Sequence, residues 1–352
     1  MNQAPAGDAT AGAPMGAPEA AAPARAGWRR LRESHLGGLA LFAALLAALP
    51  LAAPDNYFVT VVGVTAGINA ILAVSLNLFM GYAGQISLGH AAFAGMGAYA
   101  SAILTTRYGV DPWVAMAAAL ALVGVFAHLI ARPVLRLKGH YLAMATLGFG
   151  IIINIVMVQE EAYTGGPDGM SGIPGLSLFG WRIESDLEWY AVVAAVLVAV
   201  MAASLNVGAS RAGRALKAVH GSEIAAQTMG IDTARAKTQV FVFSALIACF
   251  AGSLFAHQQA FVSPSSFGFF ASIELVTMVV LGGIGSTFGA ALGAIVLTLL
   301  PALLVVFEDY EMLVFGAILM LVMIFVPQGL FVGAAQLLRD RLAARGRGAE
   351  GG

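Results

Sequence analysis

The chain has 352 residues, of which 59% are hydrophobic and only 11% are charged. A water-soluble domain of this length could not bury so much apolar surface, whereas a lipid bilayer solvates it. The formal net charge is -1, so the overall charge gives no sign of a nucleic-acid or acidic partner. Together with the long apolar runs described next, this composition predicts an all-α, polytopic transmembrane helical bundle that passes a solute.

The N-terminal region, 1–35, is predicted to be a disordered cytoplasmic tail. Residues 2–27 are rich in Ala, Pro and Gly and show no hydrophobic periodicity. Four arginines between 25 and 32 precede a full-length apolar run rather than the short core of a secretory signal, so we expect an uncleaved first span. Residues 36–329 are predicted to form the membrane domain, and 330–352 a basic cytoplasmic tail.

A helix needs about 20 apolar residues to cross the hydrocarbon core. Nine apolar runs are long enough, and a tenth, 272–284, is too short to span unless adjacent residues lengthen the helix. The lengths alone therefore allow either nine or ten spans. The runs that qualify, the last of them on the short side, are 36–53, 57–80, 86–104, 113–130, 141–158, 189–205, 240–256, 288–307 and 312–326.

The positions of the basic residues favour ten spans. Basic loops stay on the cytoplasmic side of a membrane, because they resist translocation. With ten spans, 16 of the 18 Lys and Arg residues fall on one side and both termini are cytoplasmic; only Arg107 and Arg182 fall on the other. We therefore predict about ten spans, with 272–284 as a short or broken helix in the second half.

Two glycine-broken segments interrupt the apolar pattern, GYAGQISLGHAAF at 81–93 and LGGIGSTFG at 281–289. Interrupted hydrophobic segments in both halves of a chain are the best sequence indicator of a transport site. Tight helix packing around a turn is the alternative, since small residues let backbones approach closely. The candidate residues for a translocation path are Asn77, Gly84, Gln85, Ser87, His90, Thr146, Glu274, Gly282 and Gly283.

Glu274 is the ionisable candidate in the short run 272–284. An ionisable group inside a membrane segment indicates function by default. Close to the outer end of its helix, however, the carboxylate could simply be solvated. Neither a zinc-protease HExxH motif nor a Ser/His pair with an acidic partner is present, so we expect no catalytic or metal site.

Two loops are long enough to have structure of their own. The basic segment 211–237 is amphipathic, with Ala225, Ala226 and Met229 at helical spacing and Gly230 as a stop signal. Its exposed apolar face either awaits a partner or lies on the lipid headgroups. The opposite loop, 159–188, has six acidic residues and either folds over the mouth of a path or is a solvated connector.

Eight spaced blocks between about 67 and 329 resemble the permeases of branched-chain amino acid ABC importers, of the LivM type. Each block alone is weak, whereas their order and spacing together are strong. Two positions depart from that family's usual pattern, His140 where Asp is frequent and Ile151 where Glu is frequent. The blocks are LNL (76–78), GYAGQISLGH (81–90), LKGHY (137–141), ATLGFG (145–150), TGG (164–166), GRAL (213–216) continuing to Gly230, SPSSF (263–267) and GGIGS (282–286).

This resemblance implies a non-enzymatic subunit in the bacterial inner membrane that works by alternating access. It implies a second homologous permease, two cytosolic ATPase subunits that bind the Mg-ATP, a periplasmic substrate-binding protein and contact with membrane lipid. The chain itself would bind no cofactor and no nucleic acid. The residues implied to couple to the ATPase are Arg214, Glu223, Ala225, Ala226 and Gly230.

Two other transport functions remain open from the residues. The related permeases for urea or short amides would need as few charged residues in their spans as a permease for amino acids. An ion-coupled secondary transporter should carry buried acidic or His relay groups, and Glu274 alone is weak support for such a relay.

Overall fold

The computed structural model describes residues 24–52, 58–178 and 181–304, together with six isolated positions between 313 and 333. It divides into two compact units, Met1–Gly38 and Leu39–Gly352. The first unit is described only from Ala24, where helix α1 (Ala24–Ala52) begins, so residues 24–35 of the predicted tail are helical. Residues 1–23, most of 330–352 and most of the predicted last span, 312–326, lie outside the described residues.

The second unit consists of helices joined by short connections. Helix α2 (Gly63–Asn77) is flanked by π-helical turns at Phe58–Val62 and Leu78–Tyr82. The other helices are α3 (His90–Tyr108), α4 (Pro112–Val134), α5 (His140–Gln159), α6 (Glu161–Thr164), α7 (Asp186–Ala209), α8 (Arg211–Gly221), α9 (Glu223–Thr228), α10 (Thr233–Gln259), α11 (Phe269–Gly282) and α12 (Thr287–Leu304).

Six helices of the described ranges are long and apolar enough to cross a membrane. The all-α, polytopic prediction is thereby confirmed. Helix α11 has only 14 residues, which at 1.5 Å per residue is about 21 Å and shorter than a hydrocarbon core. It is the short helix that the sequence predicted. The six are Thr60–Tyr82, Pro112–Val134, His140–Gln159, Asp186–Ala209, Thr233–Gln259 and Thr287–Leu304.

Local capping sets several helix starts. The Asp111 carboxylate accepts a hydrogen bond from Trp113 N, with Pro112 at the first helical position of α4. A capping box between Ser185 and Glu188 starts α7, and Asp232 caps α10. Because these caps are polar, α7 and α10 begin before the apolar runs that predicted them.

Helices α2 and α10 lie at the centre of the second unit. Asn77 and eleven other residues of the fifteen in α2 are buried. Helices α3 and α10 touch through their backbones, since a Cβ on Gly97 would collide with the Cys249 carbonyl and one on Gly252 with Ala94. Helix α5, by contrast, buries little of its apolar surface within this chain, as expected where lipid or another subunit covers it.

The loop 159–188 is folded rather than a loose connector. Its strand β1 (Met170–Ser171) pairs antiparallel with β4 (Phe261–Val262), and β2 (Ser177–Leu178) pairs with β3 (Trp181–Arg182). His257 Nδ1 donates to the Pro174 carbonyl at 2.7 Å. The other ring nitrogen therefore accepts from Ser101 Oγ, also at 2.7 Å. These bonds fasten the loop to the end of α10.

Candidate functional site

The two glycine-broken segments meet in the fold. Asn77 Oδ1 accepts a hydrogen bond from Gly285 N at 2.8 Å, and Tyr82 Oη lies 3.0 Å from Thr287 Oγ1. The Thr287 hydroxyl also lies 3.1 Å from Ser204 Oγ on α7. We call residues 77–85 and 282–287 the glycine joint. It links the end of α2 to the turn between α11 and α12.

The glycines in this joint are required by close approach and by backbone conformation. A Cβ on Gly81 would lie 2.6 Å from Gly285 N, and one on Gly282 would collide with the Gly289 carbonyl. Gly283 and Gly285 have φ of +108° and +84°, which side chains rarely adopt. The joint is thus a packed contact between two backbones.

The remaining candidates Gly84 and Gln85 lie at the end of this joint, and Ser87 follows shortly after it. Gly84 and Gln85 are at least partly exposed, and Gln85 Nε2 donates to the Ala83 carbonyl at 3.0 Å. Ser87 is buried and its hydroxyl has no hydrogen-bond partner among the described residues. Their role in a translocation path stays a prediction.

His90 and Thr146 fix the start of α3. His90 Nε2 lies 2.6 Å from Ser75 Oγ on α2. Leu88 N donates to Thr146 Oγ1 at 3.0 Å, which holds the non-helical residues before α3 against α5. Both side chains are buried. Both side chains therefore pack where they connect α2, α3 and α5. Their role in transport also stays a prediction.

Helix α8 is attached to the glycine joint. His220 Nδ1 donates to the Gly81 carbonyl at 3.0 Å, and a Cβ on Gly84 would lie 2.8 Å from the His220 ring. Lys217 Nζ lies 5.5 Å from the centre of the Tyr82 ring, within cation–π distance. A displacement of α8 would therefore directly displace the end of α2, which it contacts.

Helix α9 is fixed by an ionic cluster. Lys237 Nζ, on a side chain that is 3% exposed, lies 2.8 Å from Glu223 Oε1 and donates to the Leu135 carbonyl at 3.4 Å. Lys138 Nζ lies 3.6 Å from the other Glu223 oxygen. Burial alone raises the pKa of Glu223, but the hydrogen bond and charge of Lys237, with Lys138 and Thr233, outweigh it and lower the pKa below the ordinary 4.5.

The apolar face of α9 differs from the one that the sequence indicated. Ala226 is 3% exposed and packs inward, whereas Ile224 is 72% and Met229 82% exposed. Glu223 points inward to its lysines, and Ala225 is exposed. Gly230 follows the helix with φ +80° and provides the predicted stop. The spacing argument missed Ile224 because α9 is short and begins at Glu223.

Arg214 lies on α8 rather than α9. Its side chain is exposed, and Nη1 donates to the Ala209 carbonyl at 3.4 Å. Ser210 and Ser222 cap α8 and α9, so the predicted amphipathic segment is two short helices with a bend at Ser222.

Glu274 lines a cavity of about 90 Å³ between α2, α3, α10 and α11, which we call the α11 cavity. Among the described residues the carboxylate has neither an ion-pair nor a hydrogen-bond partner, and both ion pairs found there involve Glu223. Within the same described part of the chain, no group of three or more His, Cys, Asp or Glu could hold a metal ion. The cavity is lined by Ile68, Asn69, Leu72, Ala91, Ala94, Gly252, Phe255, Ser266, Phe267, Ala271, Glu274, Leu275 and Met278.

Comparison with known proteins matches residues 58–323 to the family described as "Branched-chain amino acid transport system / permease component". The chain is 37% identical over 300 residues to the "High-affinity branched-chain amino acid transport system permease protein LivM" of Escherichia coli K12, covering 78% of this chain and 71% of that protein. LivH of the same strain is 27% identical over 76% of this chain and 92% of its own length. The "Autoinducer 2 import system permease protein LsrC" of Klebsiella pneumoniae is 28% identical over 53% of this chain and 54% of its own length.

Proposed function

The chain belongs to the family of branched-chain amino acid transport permeases, and from that premise we propose that it is the LivM-type membrane subunit of an ABC importer for branched-chain amino acids. The family match, which spans far more than half of the chain, is the observation that carries this proposal. The relatives named above that match about three quarters of this chain are a LivM and a LivH protein. LsrC, with a different cargo in its name, matches only 53% of the chain and is less identical than LivM.

The exposed part of α9 supports coupling to a cytosolic ATPase. Ile224 on α9 and Met229, directly after it, present apolar side chains next to the Glu223–Lys237 pair, which joins α9 to α10. Large exposed apolar side chains on a soluble loop usually mark an interaction surface. In the proposed complex these two side chains enter the ATPase, while Glu223 positions the helix from behind.

In the proposed complex, the contacts of α8 transmit the movement of the ATPase subunits to the membrane helices. Closure of two ATPase subunits on Mg-ATP would push α8 and α9, and His220 would carry that push to Gly81 in the glycine joint. There the residues Asn77, Gly282 and Gly283 connect α2 to α11 and α12. Alternating access would then arise from tilting of these helices as rigid bodies.

The rest of the assembly belongs to the same proposal. A second homologous permease would cover the apolar surface that α5 leaves exposed, and a periplasmic binding protein would deliver the cargo. The distribution of basic residues supports ten spans with both termini cytoplasmic, and the family supports a bacterial inner membrane as the location.

The proposal is tested by altering the α9 face in the complete importer. Ile224→Asp should weaken co-purification of the ATPase subunits and lower ATP-driven leucine uptake into proteoliposomes about tenfold or more, because it places a charge in an apolar contact. Ile224→Leu, which keeps the apolar surface, is the matched control and should behave as the wild type.

Three results would overturn the proposal. Unchanged uptake by the Ile224→Asp complex would exclude α9 as the coupling surface. Uptake by this chain alone, driven by a proton or sodium gradient, would make it a secondary transporter instead, and uptake of urea without leucine would identify a short-amide importer.

A further inference from the structure

Helix α11 carries an acidic residue where its neighbours are apolar. Glu274 is the sixth residue of FFASIELVTMVVLG, beyond the first turn, where a carboxylate would be stabilised by the helix dipole. Among the described stretches that are apolar enough to enter a membrane, it is the only acidic residue outside a first turn, since Glu33 of α1 precedes the apolar stretch Leu36–Pro50. Its presence needs a physical reason, because a charge in the hydrocarbon core is costly.

Among the described residues, the Glu274 carboxylate has no protein partner. No ion pair or hydrogen bond joins it to another described residue, and its side chain is exposed. Lipid is an unfavourable neighbour for such a group, so it faces either a water-filled path or a group on another subunit. The α11 cavity beside it favours the path.

The α11 cavity lies beside the middle of α2. Ile68, Asn69 and Leu72 occupy the middle of the helical stretch Thr60–Tyr82. Ala94 of α3 and Gly252 of α10, whose backbones are in contact, form another part of the wall. A site near the middle of the membrane beside a short helix is the arrangement that many transporters use for their cargo.

The lining has two chemically different parts. Glu274 provides a negative charge, and Asn69 and Ser266 are uncharged polar neighbours. Most of the remaining wall is apolar, including Phe255 and Phe267. Such a lining is complementary to a small molecule that has an ammonium group at one end and a branched hydrocarbon group at the other.

We propose that the α11 cavity is a transient binding site for the amino acid in transit, in which Glu274 pairs with its ammonium group and the apolar wall contacts its side chain. This inference rests on the function proposed above and deepens it. It also distinguishes the cargo, because urea and neutral short amides carry no ammonium group for the carboxylate to bind.

The test compares three variants in the complete importer, reconstituted in proteoliposomes with leucine-loaded binding protein. Glu274→Gln should lower the initial rate of leucine uptake about tenfold or more, since a charge-assisted contact is lost. ATP hydrolysis should stay within about twofold of the wild type, because α8 and α9 are untouched. Glu274→Asp keeps the charge and should retain more uptake than the Gln variant.

Thr277→Val is the matched control. Thr277 lies on the same helix and its hydroxyl donates to the Ile273 carbonyl at 2.9 Å, but it does not line the α11 cavity. Its uptake should therefore equal that of the wild type.

Three outcomes would overturn the inference. Unchanged uptake by Glu274→Gln would exclude a role in cargo binding. Joint loss of uptake, ATP hydrolysis and subunit assembly would show that the carboxylate pairs with a second subunit. Equal loss in Thr277→Val would show general sensitivity of α11. If the wild-type importer itself carries no amino acid, the proposed function fails first, and the result is distinguishable from these.

Discussion

The glycine joint and the α11 cavity are built on the same short helix and differ in packing. At the joint, backbones approach so closely that only glycine fits, and Asn77 and Tyr82 are hydrogen-bonded across it. At the cavity, the helices leave an open space of about 90 Å³, and Glu274 has no partner among the described residues. In the proposed mechanism, one end of α11 transmits force, whereas its middle contacts the cargo.

The largest expected effect comes from disturbing the close packing of the glycine joint. Gly282→Ala should lower the free energy of unfolding by about 3 kcal/mol, because the new Cβ would collide with the Gly289 backbone and force α11 and α12 apart. Thermal unfolding of the purified protein in detergent measures this. Gly148→Ala is the control, since nothing lies within 4 Å of its added Cβ, and it should change stability by less than about 0.5 kcal/mol.

Equal melting temperatures for these two variants would contradict the close packing of the joint. A smaller loss than expected in Gly282→Ala, with normal leucine uptake, would mean that α11 and α12 can separate without cost to transport.

A second prediction concerns the ionic cluster that holds α9. Glu223→Gln should lower the free energy of unfolding by about 2 kcal/mol at pH 7, since it leaves the Lys237 ammonium buried without its anionic partner. Because Glu223 is partly exposed, the loss is smaller than for a fully buried pair. Thermal unfolding at several pH values measures the difference.

The lowered pKa of Glu223 predicts how the stability difference between wild type and Glu223→Gln changes with pH. The folded-state pKa of Glu223 lies below its ordinary 4.5, so its stabilisation is complete above that pH and is lost as the pH falls through the lowered value. The difference between wild type and Glu223→Gln should be constant from pH 7 to about pH 5 and disappear at lower pH. A difference that grows on acidification would contradict the cluster.

The sequence predicted the helices better than it predicted their ends. Apolar runs located α1 to α5, α7 and α10 to α12, but not α6, α8 or α9. Even so, α3 begins at His90 rather than at residue 86, because Gly84 has φ +67° and the residues after it are not helical. Helix α10 begins at Thr233, seven residues before its apolar run, since Asp232 caps it and Lys237 is buried against Glu223. Hydropathy does not register charged residues that pair inside the protein.

The candidate site could be predicted only in part. Both glycine-broken segments were visible, but nothing in the sequence showed that Asn77 would contact Gly285, 208 positions later. The inward direction of Glu223 was equally hidden, because it depends on a lysine in another helix. For Glu274 the sequence left solvated and functional alternatives open, and only the surrounding cavity favours one of them.

Cysteine accessibility tests the central comparison most directly. The variants Ser87→Cys, beside the glycine joint, and Ala271→Cys, in the α11 cavity, are made in a Cys249→Ala background, because Cys249 is the chain's single and buried cysteine. A charged, membrane-impermeant thiol reagent should label Ala271→Cys in the assembled importer, and leucine should slow that reaction. It should leave Ser87→Cys unlabelled, since Ser87 is 1% exposed. Rapid labelling of Ser87→Cys with no reaction at Ala271→Cys would place the path at the joint and contradict the account.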